Sequence, residues 1–335
     1  MKSTRLFLLL TLSLSAALYA DSPGGSHNVS TFSIVARDPA TGQMGIAVAS
    51  RYFSVGSVVP WAMADVGAVA TQANVNVGYG PKAIDLLRQG LSADEVSKRL
   101  LDEDTFPGKD GRQFAIVDAK GHVVTYTGPN APNWAGGQKG AMWAAQGNIL
   151  VGPQVPEAMG KAFESSTGEL AEKMFAALKA GDAAGGDKRG RQSASMLIVC
   201  KECGRNTNND RYLYINVDDS PDPFAELRRL LDLALAYNYG DRASKLLQQK
   251  KIPEARQSAQ TAVKYAPNSP DAHMSLGLLN YLSGDKSAAL TELQTSQRLD
   301  PNFRKQFDAI MGFNKSFAVI QDDKDFMQKL FPNPQ

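Results

Sequence analysis

Histidine and cysteine are scarce in this 335-residue chain, which has three histidines, His27, His122 and His273, and two cysteines, Cys200 and Cys203. Histidines scattered this widely give neither a metal-binding cluster nor a Ser-His-Asp set. Two cysteines exclude a disulfide-dense scaffold and a complete four-cysteine zinc site. No charge of one sign dominates, with Lys+Arg 36 against Asp+Glu 34, so composition gives no footing for a nucleic-acid or membrane surface. After the first twenty residues no run approaches the ~18 apolar residues of a membrane span. Phosphate motifs are also missing: Gly185–Ser193 (GGDKRGRQS) lacks Walker spacing, and Gly78–Gly80 is a lone glycine signal before a helix. No metal and no cofactor are therefore expected. What is present is 43% hydrophobic and 21% charged sequence, the composition of a folded protein with material for about two domains.

The chain opens MKSTRLFLLLTLSLSAALYA, a basic start, a short apolar run broken by Thr11, Ser13 and Ser15, and small residues at Ala17 and Ala20. This is the pattern of a secretory signal over residues 1–20, cut after Ala20 or alternatively after Ala17. A periplasmic or secreted location is expected, with no membrane attachment after the signal is removed. Residues 21–30 begin DSPGGSHN and read as a flexible lead-in.

From Thr31 the rhythm is that of strands. Thr31–Arg37 alternates, Asp38–Gly42 (DPATG) turns, and Met44–Arg51 returns. Gly67–Gln72 is small and apolar throughout, as a strand covered on both faces would be. Two helices follow, one opening near Pro81 and one capped by Ser92 with Glu95 in capping-box position. Arg112–Asp118 and His122–Thr127 form a second hairpin. A loop rich in Gly, Asn and Trp leads to a strand at Gly147–Gly152, helices over Pro156–Ser165 and Gly168–Gly181, strands at Ser193–Val199 and Arg211–Val217, and a closing helix from Pro223. Antiparallel hairpins with segregated helix pairs predict an α+β fold of stacked layers.

The last hundred residues repeat. Ala243, Ala255, Ala262 and Pro267 stand 34 residues before Gly277, Ala289, Ser296 and Pro301. That is the tetratricopeptide period: small residues let antiparallel helices approach, Leu276, Tyr281 and Leu293 fill the seam, and the prolines end each unit. Residues 239–335 are read as a tetratricopeptide-like helical domain, with 303–330 as a capping element.

Thr31, first in its strand, is a candidate nucleophile if the chain is cut before it. A freed α-amine, with a reference pKa of ~8, would then serve as its base. The plain alternative is a β-branched strand residue. Cys200 and Cys203 end a strand and, in an oxidising compartment, most simply form a local disulfide; a redox pair or half a zinc knuckle are the other readings.

The segments TFSIVARDPATGQMGIAVASRYFSVGSVVPWA, GAVATQANVNVGYGPKAIDLL, QGNIL, AAGGDKRGRQSASMLIV and DDSPDPFAELRRLLDL resemble the bacterial family of domain of unknown function 1028, over Thr31 to about Tyr237. The resemblance implies a domain over 31–238 with the four-layer αββα sandwich of the N-terminal nucleophile hydrolases. It also implies Thr31 as catalytic nucleophile, with Ser50 and Arg51 at the matching strand end. Gln72, Asn74 and Asn148, each following apolar sequence, are candidate substrate or oxyanion donors, or else amides that satisfy buried backbone groups. Asp187, Arg189 and Arg191 are candidates to hold a carboxylate or phosphate, or form an Asp–Arg latch. Against catalysis, Asp21 rather than Thr31 becomes the terminus after signal removal, Ser30 replaces the Gly common before such nucleophiles, and Ala49 stands where proteasome-type sites carry an acid. The expected function is an exported amidohydrolase or peptidase-like protein using Thr31 after processing. The alternative is a non-catalytic scaffold that holds a protein or peptide partner through its repeats. Composition leaves the oligomeric state open, homo-oligomer included.

Overall fold

Residues 28–29, 31–206 and 208–332 are described in the structure, a computed structural model. The expected signal at 1–20, its cut site, and residues 21–27 and 30 of the lead-in lie outside the described residues. Among the described residues no helix is long and apolar enough to cross a membrane.

Strands β1 (Asn28–Val29), β2 (Thr31–Arg37), β3 (Met44–Ser50), β4 (Pro60–Met63) and β5 (Gly67–Asn74) precede helices α1 (Tyr79–Arg88) and α2 (Ala93–Asp102). Strands β6 (Arg112–Asp118), β7 (Val123–Thr127), β8 (Trp134–Gly140) and β9 (Trp143–Leu150) come next, followed by α3 (Gln154–Ser165) and α4 (Leu170–Ala183). Then come β10 (Ser193–Val199), β11 (Arg211–Val217) and α5 (Pro223–Gln248). All pairings between these strands are antiparallel. One sheet carries β1 and β4 on one edge of β5 and β6 then β7 on the other; the second runs β11-β10-β3-β2-β9-β8.

Side-chain alternation stacks these elements into four layers. Val69, Phe114 and Ile116 of the first sheet pack on α1 and α2 through Leu87, Val96 and Leu100. The opposite face, with Ala68, Ala70, Ala115 and Val117, meets Val35, Ile46 and Val48 of the second sheet. The far side of that sheet, with Phe32, Ile34, Ala47 and Met196, packs on α3, α4 and α5 through Met159, Met174 and Leu231. The Ser92–Glu95 capping box starts α2 as expected, each partner satisfying the other's backbone N–H.

Two strands escaped the sequence reading. The stretch expected as a loop contains β8, which has three glycines among its seven residues. A Cβ on Gly137 would lie 2.7 Å from Thr125 Oγ1 and 2.8 Å from Ala145 O. Close approach requires the glycine, and glycine erases the alternation that identifies a strand. Strand β4 is short and begins at Pro60. The lead-in is not coil throughout either, because Asn28 and Val29 pair with Asn74 and Ala73 of β5.

Helix α5 runs unbroken across the domain boundary placed between residues 238 and 239. Its first half buries Phe224, Leu227 and Leu231 against the sandwich. Its second half carries Ala243 against Ala255 and Leu276. Helices α6 (Ile252–Tyr265), α7 (Pro270–Leu282), α8 (Lys286–Leu299), α9 (Phe303–Phe313), α10 (Ala318–Asp322) and α11 (Lys324–Leu330) complete a helical module. Its core joins Leu278 and Leu293 to Phe303, Phe307 and Phe326.

Candidate functional site

The space between the two sheets changes character along the strands. Inward positions of β2 read Thr31, Ser33, Val35, passing from hydroxyls to the apolar core within five residues. Thr31 stands opposite Ser50 on β3 and Asn148 on β9, and Ser50 stands opposite Ser193 on β10. One row across the second sheet is therefore Asn148, Thr31, Ser50, Ser193. Thr31 and Ser50 hydroxyls lie 3.1 Å apart, and Thr31 has no exposed surface.

The first sheet closes this end with amides. Gln72 donates through Nε2 to Thr31 O at 3.3 Å and to Gln113 Oε1 at 2.9 Å, while its Oε1 accepts from Ser33 Oγ at 2.7 Å. Asn148 Nδ2 also donates to Gln113 Oε1, at 3.1 Å. Gln113 passes the chain on, donating to Gly147 O at 2.8 Å and Thr127 Oγ1 at 2.9 Å. Gln72, Gln113 and Asn148 are all fully buried. Hydrogen-bonded amides inside a low-dielectric core hold one another in place, so the network fixes the β2 end against both sheets. Gln113 and Ser33 were missed from sequence. The two-residue period Gln113, Ala115, Val117, in register with Gln72, Ala70, Ala68, would have pointed to both amides facing one layer.

Two of the three amide-bearing strands, β5 and β9, finish in unusual backbone. Ala73, after Gln72, has φ 64°, and Ile149, after Asn148, has φ 52°. A left-handed conformation is rare for alanine and an outlier for β-branched isoleucine. Each costs on the order of 1–3 kcal/mol and persists only where the surroundings enforce it.

The loop between α4 and β10 straps the ends of β3 and β9. Asp187 Oδ2 accepts from Arg51 N at 3.0 Å, and its Oδ1 accepts from Arg189 N at 2.8 Å. Arg189 Nη2 reaches Asp187 Oδ2 at 3.2 Å, Arg51 Nη1 donates to Arg189 O at 2.9 Å, and Gln192 N donates to Ser50 O at 3.1 Å. The Asp187 side chain is only 2% exposed. Arg191 points elsewhere, making a bidentate pair with Asp182 at 2.7 Å and lying 5.6 Å from the Phe224 ring centroid. A cavity of about 130 Å³ sits beneath this loop, bounded by Ser50, Asp182, Asp187, Arg191 and Phe224.

The structure thus gathers Thr31, Ser50, Gln72 and Asn148 into one cluster, with Arg51, Asp187 and Arg189 strapped beside it. Asn74 is turned to the loop before β6, donating to Gly108 O at 3.1 Å. Ala49 packs with Phe32 on the helix-facing side of its sheet. Cys200 and Cys203 are joined in a disulfide. Among the described residues no three His, Cys, Asp or Glu side chains are grouped to hold a metal ion.

Residues 31–227 match the family of unknown function DUF1028. Among solved structures the chain is similar to protein SPO2555 from Silicibacter pomeroyi, a DUF1028 protein, at 30% identity and a TM-score of 0.54, covering 60% of this chain and 84% of that one. No curated protein matches.

Proposed function

The chain belongs to the DUF1028 family, and we propose that its sandwich is an amide hydrolase whose nucleophile is Thr31, unmasked by cleavage of the Ser30–Thr31 bond. The observation that carries this reading is the placement of the Thr31 hydroxyl, first on a central strand and 3.1 Å from Ser50 Oγ, at the polar end of the inter-sheet layer. Once freed, the α-amine takes the hydroxyl proton as Oγ1 attacks the substrate carbonyl. The C–N bond breaks, the leaving nitrogen takes the proton, and water hydrolyses the resulting ester. Asn148, opposite Thr31, is the proposed amide donor to the oxyanion. Gln72 positions the strand by holding Thr31 O. The disulfide supports export to an oxidising compartment.

N-terminal sequencing and intact mass of the exported protein test the premise. A chain starting at Thr31, with amide hydrolysis lost in Thr31→Ala, is the expected result. A chain that keeps its lead-in, or turnover that survives Thr31→Ala, overturns it.

A second reading has its own observation. We read α5–α8 as two tetratricopeptide-like repeats. Of these helices α5 and α7, with α9, line a groove of about 460 Å³ that includes Leu247, Met274, Leu278 and Ile310, with Phe313 91% exposed at its rim. A peptide partner held there would make the sandwich a carrier. Binding abolished by Phe313→Asp would favour it, and a partner that ignores the substitution would count against it.

A further inference from the structure

Strand β5 owes part of one edge to the chain just ahead of Thr31. Its β6 edge is paired from Gly67 to Ala73. The other edge carries β4 over Gly67–Ala70 and then β1, with Val29 opposite Ala73 and Asn28 opposite Asn74. Between Val29 and Thr31 the chain passes from the first sheet to the second. The protein therefore supplies its own edge strand to β5 immediately before the candidate nucleophile.

Chemistry gives that position a meaning, resting on the reading of Thr31 as nucleophile. In the cut, Thr31 Oγ1 attacks the carbonyl carbon of residue 30. A C–O bond forms, the C–N bond breaks, and the hydroxyl proton moves to the Thr31 nitrogen. Water then adds to the ester, the C–O bond breaks, and a carboxylic acid and the Thr31 hydroxyl result. Any peptide later attacked by the same oxygen passes through the same kind of ester, with its acyl-side residues where the leader residues lay. We infer that the substrate is an extended peptide whose acyl-side main chain adds to the edge of β5 at Ala73–Asn74, and that residues 28–29 are the built-in occupant of this site. Strand addition takes its affinity from main-chain hydrogen bonds, and side-chain pockets set its selectivity.

Such a pocket adjoins the pairing residues. A cavity of about 390 Å³ beside Asn74 is walled by Val75, Val77, Phe106 and Pro107, with Phe106 66% and Val77 38% exposed. Arg112 fixes its base: the guanidinium is held by Asp104 and donates to Asn74 O at 2.8 Å and Pro107 O at 3.2 Å. Asn76 also lines the cavity, so the wall left to a substrate mixes apolar surface from Val75, Val77, Phe106 and Pro107 with an amide, and a side chain with an apolar body and room for a polar tip fits next to the paired residues.

The test uses purified protein carrying Thr31→Ala, which removes the chemistry, with Asn28→Pro and Val29→Pro, which cannot pair and vacate the edge. A second version, also Thr31→Ala, begins at Ser30 and so carries no residues 28–29 at the edge, which guards against a folding defect caused by the prolines. The probe is a fluorescent peptide of residues 21–30, beside the same peptide N-methylated at its Asn28 and Val29 positions. The expected result is binding to both vacated versions, at least tenfold weaker for the methylated peptide and for the chain with its leader intact, with slowed amide exchange confined to residues 72–74. Equal binding of the methylated peptide, no binding, or protection elsewhere overturns the inference. Because the assay needs no turnover, peptide binding in a protein that never hydrolyses amides would remove the hydrolase reading and leave the docking site. Hydrolysis without such binding would do the reverse.

Discussion

Replacing Gln113 by leucine keeps the side chain's bulk and removes its polar function, which isolates the worth of the amide network. Gln113 has no exposed surface. Its Oε1 receives Gln72 Nε2 and Asn148 Nδ2, and its Nε2 donates to Gly147 O and Thr127 Oγ1. The substitution strips a partner from at least three groups in the core, each costing ~1–3 kcal/mol when left unsatisfied. The loss should be about 3–6 kcal/mol, a large part of the ~5–15 kcal/mol that holds a typical domain together. The three tryptophans, Trp61, Trp134 and Trp143, all lie in the sandwich, so their fluorescence in a urea titration reports this unit alone. With a slope of ~2–3 kcal/mol per molar, the midpoint should fall by roughly 1–3 M. Asn74→Ala is the comparison, because its half-buried amide makes one bond, to Gly108 O, and should shift the midpoint by under ~0.5 M. A Gln113→Leu shift no larger than that of Asn74→Ala would refute the claim that the network holds the Thr31 end together.

Burial pushes the Asp104 carboxyl up, but hydrogen bonds from Arg112, Tyr79 and Phe106 N outweigh it and hold it below the usual carboxylate range. A depressed carboxylate stabilises the fold above its unfolded pKa of ~4 and loses that contribution as pH falls through the folded value. Asp104→Asn should therefore weaken the protein at pH ~7 and flatten the acid limb of a stability–pH curve; parallel limbs would contradict this. At Gly277 a Cβ would lie 2.7 Å from Leu293 Cγ and 3.1 Å from Leu293 N, so Gly277→Val should cost the helical module about 1–3 kcal/mol by circular-dichroism melting. Gly240 faces open space within α5, so Gly240→Ala should instead stabilise by about 0.5–1 kcal/mol in the same assay. Reduction of Cys200–Cys203, which closes a four-residue loop, should lower stability by about 2 kcal/mol, read as melting temperature with and without reductant.

The parts of the fold legible in sequence are those where one local rule suffices. Thr31–Arg37 and Met44–Ser50 announce themselves by composition and an intervening turn, and Ser92 with Glu95 fixes the start of α2 by its own hydrogen bonds. Strand β8 was illegible because its glycines answer to neighbours on β7 and β9, a constraint set by tertiary packing. The boundary placed between residues 238 and 239 falls inside helix α5 for a related reason. Nothing in FAELRRLLDLALAYNYGDRASKLL stops a helix, and its two halves are told apart only by what they bury. In the candidate site, Thr31 could be singled out by position, whereas Gln113 reads as an ordinary polar residue opening a strand. Its importance comes from meeting Gln72 across one sheet and Asn148 across the gap between sheets.

The groups joined around Thr31 in this network are hydroxyls and amides, and that has a chemical consequence. Ser50, Gln72, Gln113 and Asn148 can orient a hydroxyl and share its hydrogen bonds, but none of them takes up a proton near neutral pH. The charged groups of the adjoining strap are engaged with one another, as Asp187 holds Arg51 N and the Arg189 side chain. In the uncut chain the Thr31 nitrogen is an amide and has no basic lone pair. Cleavage before Thr31 changes that nitrogen into an amine whose reference pKa of ~8 lies close to working pH. On the proposed reading the same cut would free residues 28–29 to leave the β5 edge. One bond would then govern both the base and access to the substrate's place, so hydrolysis by cleaved protein should rise with pH through the amine's titration. A pH-independent rate over that range would mean that some other group accepts the proton.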